Sequence, residues 1–208
     1  DLLFAIMMFA VLLLHIFFLF AVPFSDDESH YATVPFRLIM GDSLVQHEWH
    51  LTQFASLFTY LPVRIWTAFK GSADGIFIFL RCVYLAIHTS VAVLVYGFFR
   101  KYGKWAVLAS MMFYFQIPYR IQGISYQSMF VVFLLLFTLC LLSIYKKKSA
   151  AFYILAGICF GCCCVSNPLF CFVFVLYLLG CILWTSREDL KSKVMELKIL
   201  SKTNKGKK

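Results

Sequence analysis

Three consecutive carboxylates, Asp26, Asp27 and Glu28, follow directly on a long apolar run and lead into Ser29, His30 and Tyr31. Apart from Asp1 they are the first acids in the chain, and no Lys or Arg appears before Arg37. Carboxylates placed where a helix has just left the lipid suit proton transfer on a lipid-borne substrate. Deeper in, their charge would be costly, and far out in solvent they would miss the substrate. The three stand as candidate acid/base groups, and Glu48 is a further acid along the chain. Arg37, Arg81 and Arg120 are the cations that could meet a substrate phosphate, with Arg64 and Lys70 further out. Tyr31, Trp49 and His50 complete the candidate substrate contacts. The bland alternative is that the acids only mark the outward side of the first span.

Two other clusters look chemical and are set aside. His47 and His50, three apart around Glu48 and Trp49, would share a face if helical. The spacing is not that of the zinc helix with histidines four apart, and no third ligand is evident, so no metal is expected. All eight cysteines fall inside apolar runs, outside the outward loops where disulfides would form. Cys162, Cys163 and Cys164 are adjacent and point about 100° apart on a helix, so they read as packing residues. His88 lies mid-span and reads as a hydrogen-bonded packing residue.

The elements that must position these groups are membrane helices. Of 208 residues 62% are hydrophobic, 24 are Phe, and mean hydropathy is +0.84, more apolar surface than a soluble domain of this size can bury. Apolar runs approach or exceed the ~18–20 residues needed to cross ~30 Å of hydrocarbon. They are Leu2–Val22, Ile76–Phe99, Trp105–Gln116 extended toward Tyr119, Gln127–Tyr145, Phe152–Val165 and Leu169–Trp184. The third, fifth and sixth are short and must tilt, extend or pack as partial spans. The expected fold is therefore an all-α membrane protein of about six transmembrane helices. The first span is too long for a signal-peptide core and reads as uncleaved, although the chain starts at Asp1 and reads as a fragment.

Charge orients the spans. The net charge is +9, and fourteen of the nineteen Lys and Arg fall in the 100–104 loop, the 146–148 loop and the 186–208 tail. These segments share one side if spans alternate, and the positive-inside rule makes that side cytoplasmic. Six of the ten acids lie in 23–75, which then faces out. The distribution accounts for the net charge without nucleic acid; anionic membrane lipids suffice. Residues 1–185 read as the polytopic domain and 186–208 as a basic tail. Within 23–75, Ala32–Met40 and Leu51–Phe69 read as juxtamembrane helices broken near Gly41 and Pro62. Tyr60, Arg64, Trp66 and Lys70 are expected at headgroup depth.

The order of membrane helix, Asp27-Glu28-Ser29-His30-Tyr31, amphipathic stretch, Gly41-Asp42, then Glu48-Trp49-His50 and Gln53 resembles the start of a GT-C glycosyltransferase. More narrowly it resembles the branch of protein mannosyltransferases and aminoarabinose transferases. The resemblance covers roughly residues 1–145. It implies inverting sugar transfer from a polyprenyl-phosphate donor at the outer face of the plasma or endoplasmic reticulum membrane, without a cofactor. Asp27 then matches the family's catalytic Asp, Glu28 its partner, and Arg120 lies close to where the family builds its donor site. GT-C enzymes have more than six spans, so the resemblance also implies a missing carboxy-terminal portion or a partner subunit. The competing readings are a small carrier or flippase-like protein and a non-catalytic membrane subunit. A carrier would need polar groups converging at midplane, where the sequence offers little beyond His88.

Overall fold

The structure, a computed structural model, describes residues 1–47, 50, 52–116 and 122–183, without the side chain of Asp27. Glu48, Trp49, Arg120 and the basic tail lie outside the described residues. Residues Asp1–Pro168 form one compact unit, and a second begins at Leu169. No strand occurs among the described residues.

The chain opens with α1 (Leu2–Ala21), continues into α2 (Asp26–Ile39), and passes through a 3-10 turn (Gln53–Ser56) into α3 (Leu57–Lys70). Then come α4 (Ile76–Phe99), a 3-10 turn (Arg100–Tyr102), α5 (Lys104–Tyr114), α6 (Tyr126–Lys146) and α7 (Ala150–Ser166). The second unit contributes α8 (Phe170–Leu183). Among the described residues three stretches are long and apolar enough to cross a membrane: Leu2–Ala21, Ile76–Tyr102 and Tyr126–Lys146. At about 1.5 Å per residue, the 11 residues of α5 reach only half of a ~30 Å core.

Local chemistry explains where the 23–75 segment departs from expectation. Helix α2 starts at Asp26, well before Ala32, because Ser25 and Glu28 form a reciprocal cap. The Glu28 amide donates to Ser25 Oγ (3.2 Å) and the Ser25 amide to Glu28 Oε2 (3.4 Å). Pro62 does not break the chain but sits inside α3, where Thr59 and Val63 are fully buried. Packing of that face outweighs one missing N–H. Where α3 ends, Gly71 takes the left-handed conformation (φ 71°) that closes a helix. Trp66 is half-buried: its Nε1–H donates to Asp74 O (3.2 Å) and its ring stacks on Phe79 at 4.7 Å.

Inside the first unit the helices alternate in direction. Arg100, beyond the end of α4, pairs with Asp1 at the start of α1, and Lys146 at the end of α6 lies 4.4 Å over the ring of Phe98. The 100–104 and 146–148 cations thus share one end of the bundle, and the acidic turn of α2 lies at the other. The core has two parts. Near the basic end, Phe4, Met8 and Val11 pack with Val91, Val95, Met111 and Val132. Beneath α2 and α3, Ala32 and Val63 pack with Ile76, Leu80, Tyr84 and Met129. Outward-facing Phe9, Phe17 and Phe20 of α1 are more than half exposed, as expected of lipid-facing positions.

Helices α4 and α5 approach through small residues. Ala92 and Ala106 are wholly buried, and Ser110 Oγ donates to Ala92 O at 2.6 Å. Ala92→Leu should therefore overpack this contact and lower stability by about 1–3 kcal/mol. Val93→Leu, on an exposed position, should leave it nearly unchanged. Thermal unfolding in detergent micelles checks the pair.

Candidate functional site

Proline punctuation creates the site. Pro23 stands four residues after Leu19, the position whose N–H would close the last helical bond onto Leu19 O. That carbonyl is left without its helical donor in an apolar setting, where an unpaired polar group costs several kcal/mol. Arg81, one and a half turns into α4, supplies what is missing. Its Nη1 donates to Leu19 O (2.8 Å) and Val22 O (2.9 Å), and its Nη2 to Pro23 O (3.1 Å). The remaining donors take both carboxylate oxygens of Glu28, Nε to Oε1 at 3.1 Å and Nη2 to Oε2 at 2.8 Å. All five guanidinium hydrogens are used, the most this side chain can offer. Arg81 is 3% exposed and Glu28 7%, and Phe24 lies against the guanidinium, its ring centroid 4.4 Å away.

A positive group at the carboxy-terminal end of α1 also complements that helix's dipole. The sequence offers Arg81 as a contact for a substrate phosphate; in the structure the anion it meets is Glu28. Through its cap on Ser25, Glu28 carries this anchoring to the first turn of α2. Asp26 is exposed at the first position of that turn, and the backbone of Asp27 occupies the second. Gly123 passes over Glu28 so closely that a side chain there would start 3.5 Å from Glu28 Cγ.

The other expected residues divide into two places. Tyr31 is buried and its hydroxyl bonds Thr52 Oγ1 (3.2 Å), which also bonds His50 Nδ1 (2.7 Å). The His50 ring lies 5.0 Å from that of His30. Tyr31 and His50 are thus brought together on the α2 side of the 23–75 segment. Arg37 holds the turn after α2, with Nε to Asp42 Oδ2 at 2.7 Å and Nη2 to His47 O at 3.0 Å. His47 lies in a bend and His50 in no regular element, so the two do not share a helix face. Among the described residues no three His, Cys, Asp or Glu come together as a metal site.

A second polar group lies deeper, and most of it escapes the sequence reading. Pro118 stands four residues after Tyr114, so Tyr114 O also lacks a helical donor. His15 of α1 and His88 of α4 both meet it through Nε2, at 2.9 and 3.2 Å. A carbonyl only accepts, so each ring carries its proton on Nε2. Tyr84 OH lies 3.4 Å from His88 Nδ1, and Thr89 Oγ1 bonds Tyr114 OH at 2.9 Å. Gln122 is buried beside these rings, and among the described residues its Nε2 has no partner. It helps line a cavity of about 10 Å³ with His15, Arg81, Tyr84 and His88. A second cavity of the same volume lies on the Glu28 side of Arg81. Each has room for about one water molecule, not for a sugar. A larger open groove of about 380 Å³ runs between α5 and α6, lined by Met112, Phe113, Gln116, Val131, Leu134, Leu135 and Thr138.

The chain matches no family model, no curated protein and no solved structure. The geometry must therefore speak alone. What sequence reasoning missed was nonetheless written there: Pro23 and Pro118 each four residues past a helical carbonyl, and Ser25-x-x-Glu28 as a helix start.

The Arg81–Glu28 pair sets a clear mutational contrast. Glu28→Gln leaves Arg81 buried without its counter-charge and should cost about 3–5 kcal/mol. Asp26→Asn, at an exposed position, should stay within about 0.5 kcal/mol. Chemical denaturation in micelles distinguishes them; similar losses would mean that the buried pair is not the anchor.

Proposed function

We propose that the protein is an outward-facing glycosyltransferase of the GT-C type that moves a sugar from a polyprenyl phosphate to an acceptor hydroxyl. The observation that carries the reading is the acidic first turn of α2, fixed at the mouth of the bundle by Arg81 and Glu28. A base that must be ready at the anomeric carbon gains from such preorganisation, since a misplacement of ~1 Å can cost ~10²-fold. In this reading Asp27 takes the proton of the acceptor hydroxyl as its oxygen attacks the anomeric carbon, and the polyprenyl phosphate leaves. Glu28 and Arg81 act by position, because their polar atoms are committed to each other. The donor phosphate falls to Arg120 and Arg37, the sugar to Trp49 and His50, with Glu48 an auxiliary acid. The α5/α6 groove is apolar and open enough for the prenyl chain.

The same reading has α5, α7 and α8 cross the membrane together with the three long helices, by tilting or pairing. The basic end faces the cytoplasm, in agreement with the exposure of Arg100, Lys101, Lys104 and Lys146 to Lys148. A partner subunit or a carboxy-terminal portion completes the cavity.

One observation favours a second reading, a small carrier. Polar groups do converge at mid-depth, where His15, His88, Tyr84 and Gln122 meet around Tyr114 O.

Photo-crosslinking of a polyprenyl-phosphate sugar to the purified chain tests the proposal. The wild type should be labelled, Arg120→Ala should be labelled less, and Asp27→Asn should be labelled normally. In a transfer assay Asp27→Asn should lose activity by ~10²-fold or more. No labelling of well-folded wild type removes the transferase reading. Vesicle transport lost on His88→Ala would then establish the carrier.

A further inference from the structure

Helix α3 carries an apolar stripe that is exposed among the described residues. Leu57, Leu61, Ile65 and Phe69 recur every fourth residue and are 46%, 62%, 53% and 90% exposed. The buried Thr59 and Val63 lie on the opposite face, so the stripe is not the edge of the core. Beside it stand Arg64, bonded to Tyr60 OH at 3.2 Å, and Lys70 at the end of the helix, both exposed. The helix contains no acid. Apolar on one side and cationic at its rim is the pattern of a helix that lies in an anionic bilayer surface.

The connection to α4 fixes where this stripe can be. α4 starts at Ile76, six residues beyond Lys70, and an extended chain advances at most ~3.6 Å per residue. α3 therefore cannot move more than ~20 Å from the end of a helix of membrane-spanning length. The corner is also locked, by Gly71 in the left-handed conformation and by Trp66 donating to Asp74 O. With Trp66 stacked on Phe79, the stripe and its two cations form the outward contact of this helix.

We infer that α3 is a lipid-docking element: Leu57, Leu61, Ile65 and Phe69 enter the outer leaflet, and Arg64 and Lys70 hold the phosphates of anionic phospholipids. The inference rests on the membrane reading and is independent of the transferase proposal. Anionic phospholipid is favoured over a second copy of the chain because the rim of the helix is wholly cationic, and two such rims would repel each other.

The experiment places a photoreactive benzoyl-phenylalanine at position 69 or, in a second variant, at 61, in the full chain reconstituted in lipid nanodiscs. Discs of phosphatidylcholine alone are compared with discs containing phosphatidylglycerol. Both variants should yield lipid adducts, and phosphatidylglycerol should be over-represented among them. Arg64→Gln and Lys70→Gln should each reduce that preference by about fivefold, the worth of one cation at an anionic surface. Adducts of twice the chain mass would identify a second copy as the occupant and overturn the inference. So would the absence of lipid adducts from both positions, or a preference unchanged by the two substitutions.

Discussion

An orphaned carbonyl is the constraint that organises this protein. In an apolar helix bundle, water is not at hand to satisfy a backbone oxygen at a buried, broken helix end. Pro23 and Pro118 each remove the N–H that a carbonyl four residues earlier would have used. The two vacated oxygens are met differently. Leu19 O draws in Arg81, which brings Glu28, which caps α2. Tyr114 O draws in His15 and His88, which tie α1 and α4 to the end of α5. Much of the polar interior of the bundle follows from these two prolines.

This view changes how the acidic cluster reads. Three neighbouring acids look interchangeable as letters, but their surroundings separate them. Glu28 is buried, bidentate with Arg81 and committed to holding the chain. Asp26 is exposed. The buried ion pair adds little net stability compared with an apolar pair of the same shape. Its value is positional, since it fixes where α2 begins relative to α1 and α4. If the protein transfers sugars, that fixed start is what presents Asp27.

The helical class, the long apolar helices and the gathering of the 100–104 and 146–148 cations at one end were legible from composition and charge, because spanning length and alternating direction leave their mark on a sequence. The start of α2 was legible too, as Ser25-x-x-Glu28, but the same letters invited a catalytic reading that hid the cap. Pro62 misled because a proline weakens a helix by one bond, and burial of Val63 outweighs that. His15 was invisible for another reason: its role depends on Tyr114, 99 residues away, and no local spacing announces such a partner.

Arg81 acts by the shape of its fork as well as by its charge. The most direct measurement is the stability, in micelles, of Arg81→Lys beside Arg81→Met. Lysine keeps the positive charge but offers three donors from one point, too few to serve both carboxylate oxygens and three carbonyls. Arg81→Lys should lose most of the stability that Arg81→Met loses. An Arg81→Lys protein as stable as the wild type would show that charge alone suffices, and would contradict the account.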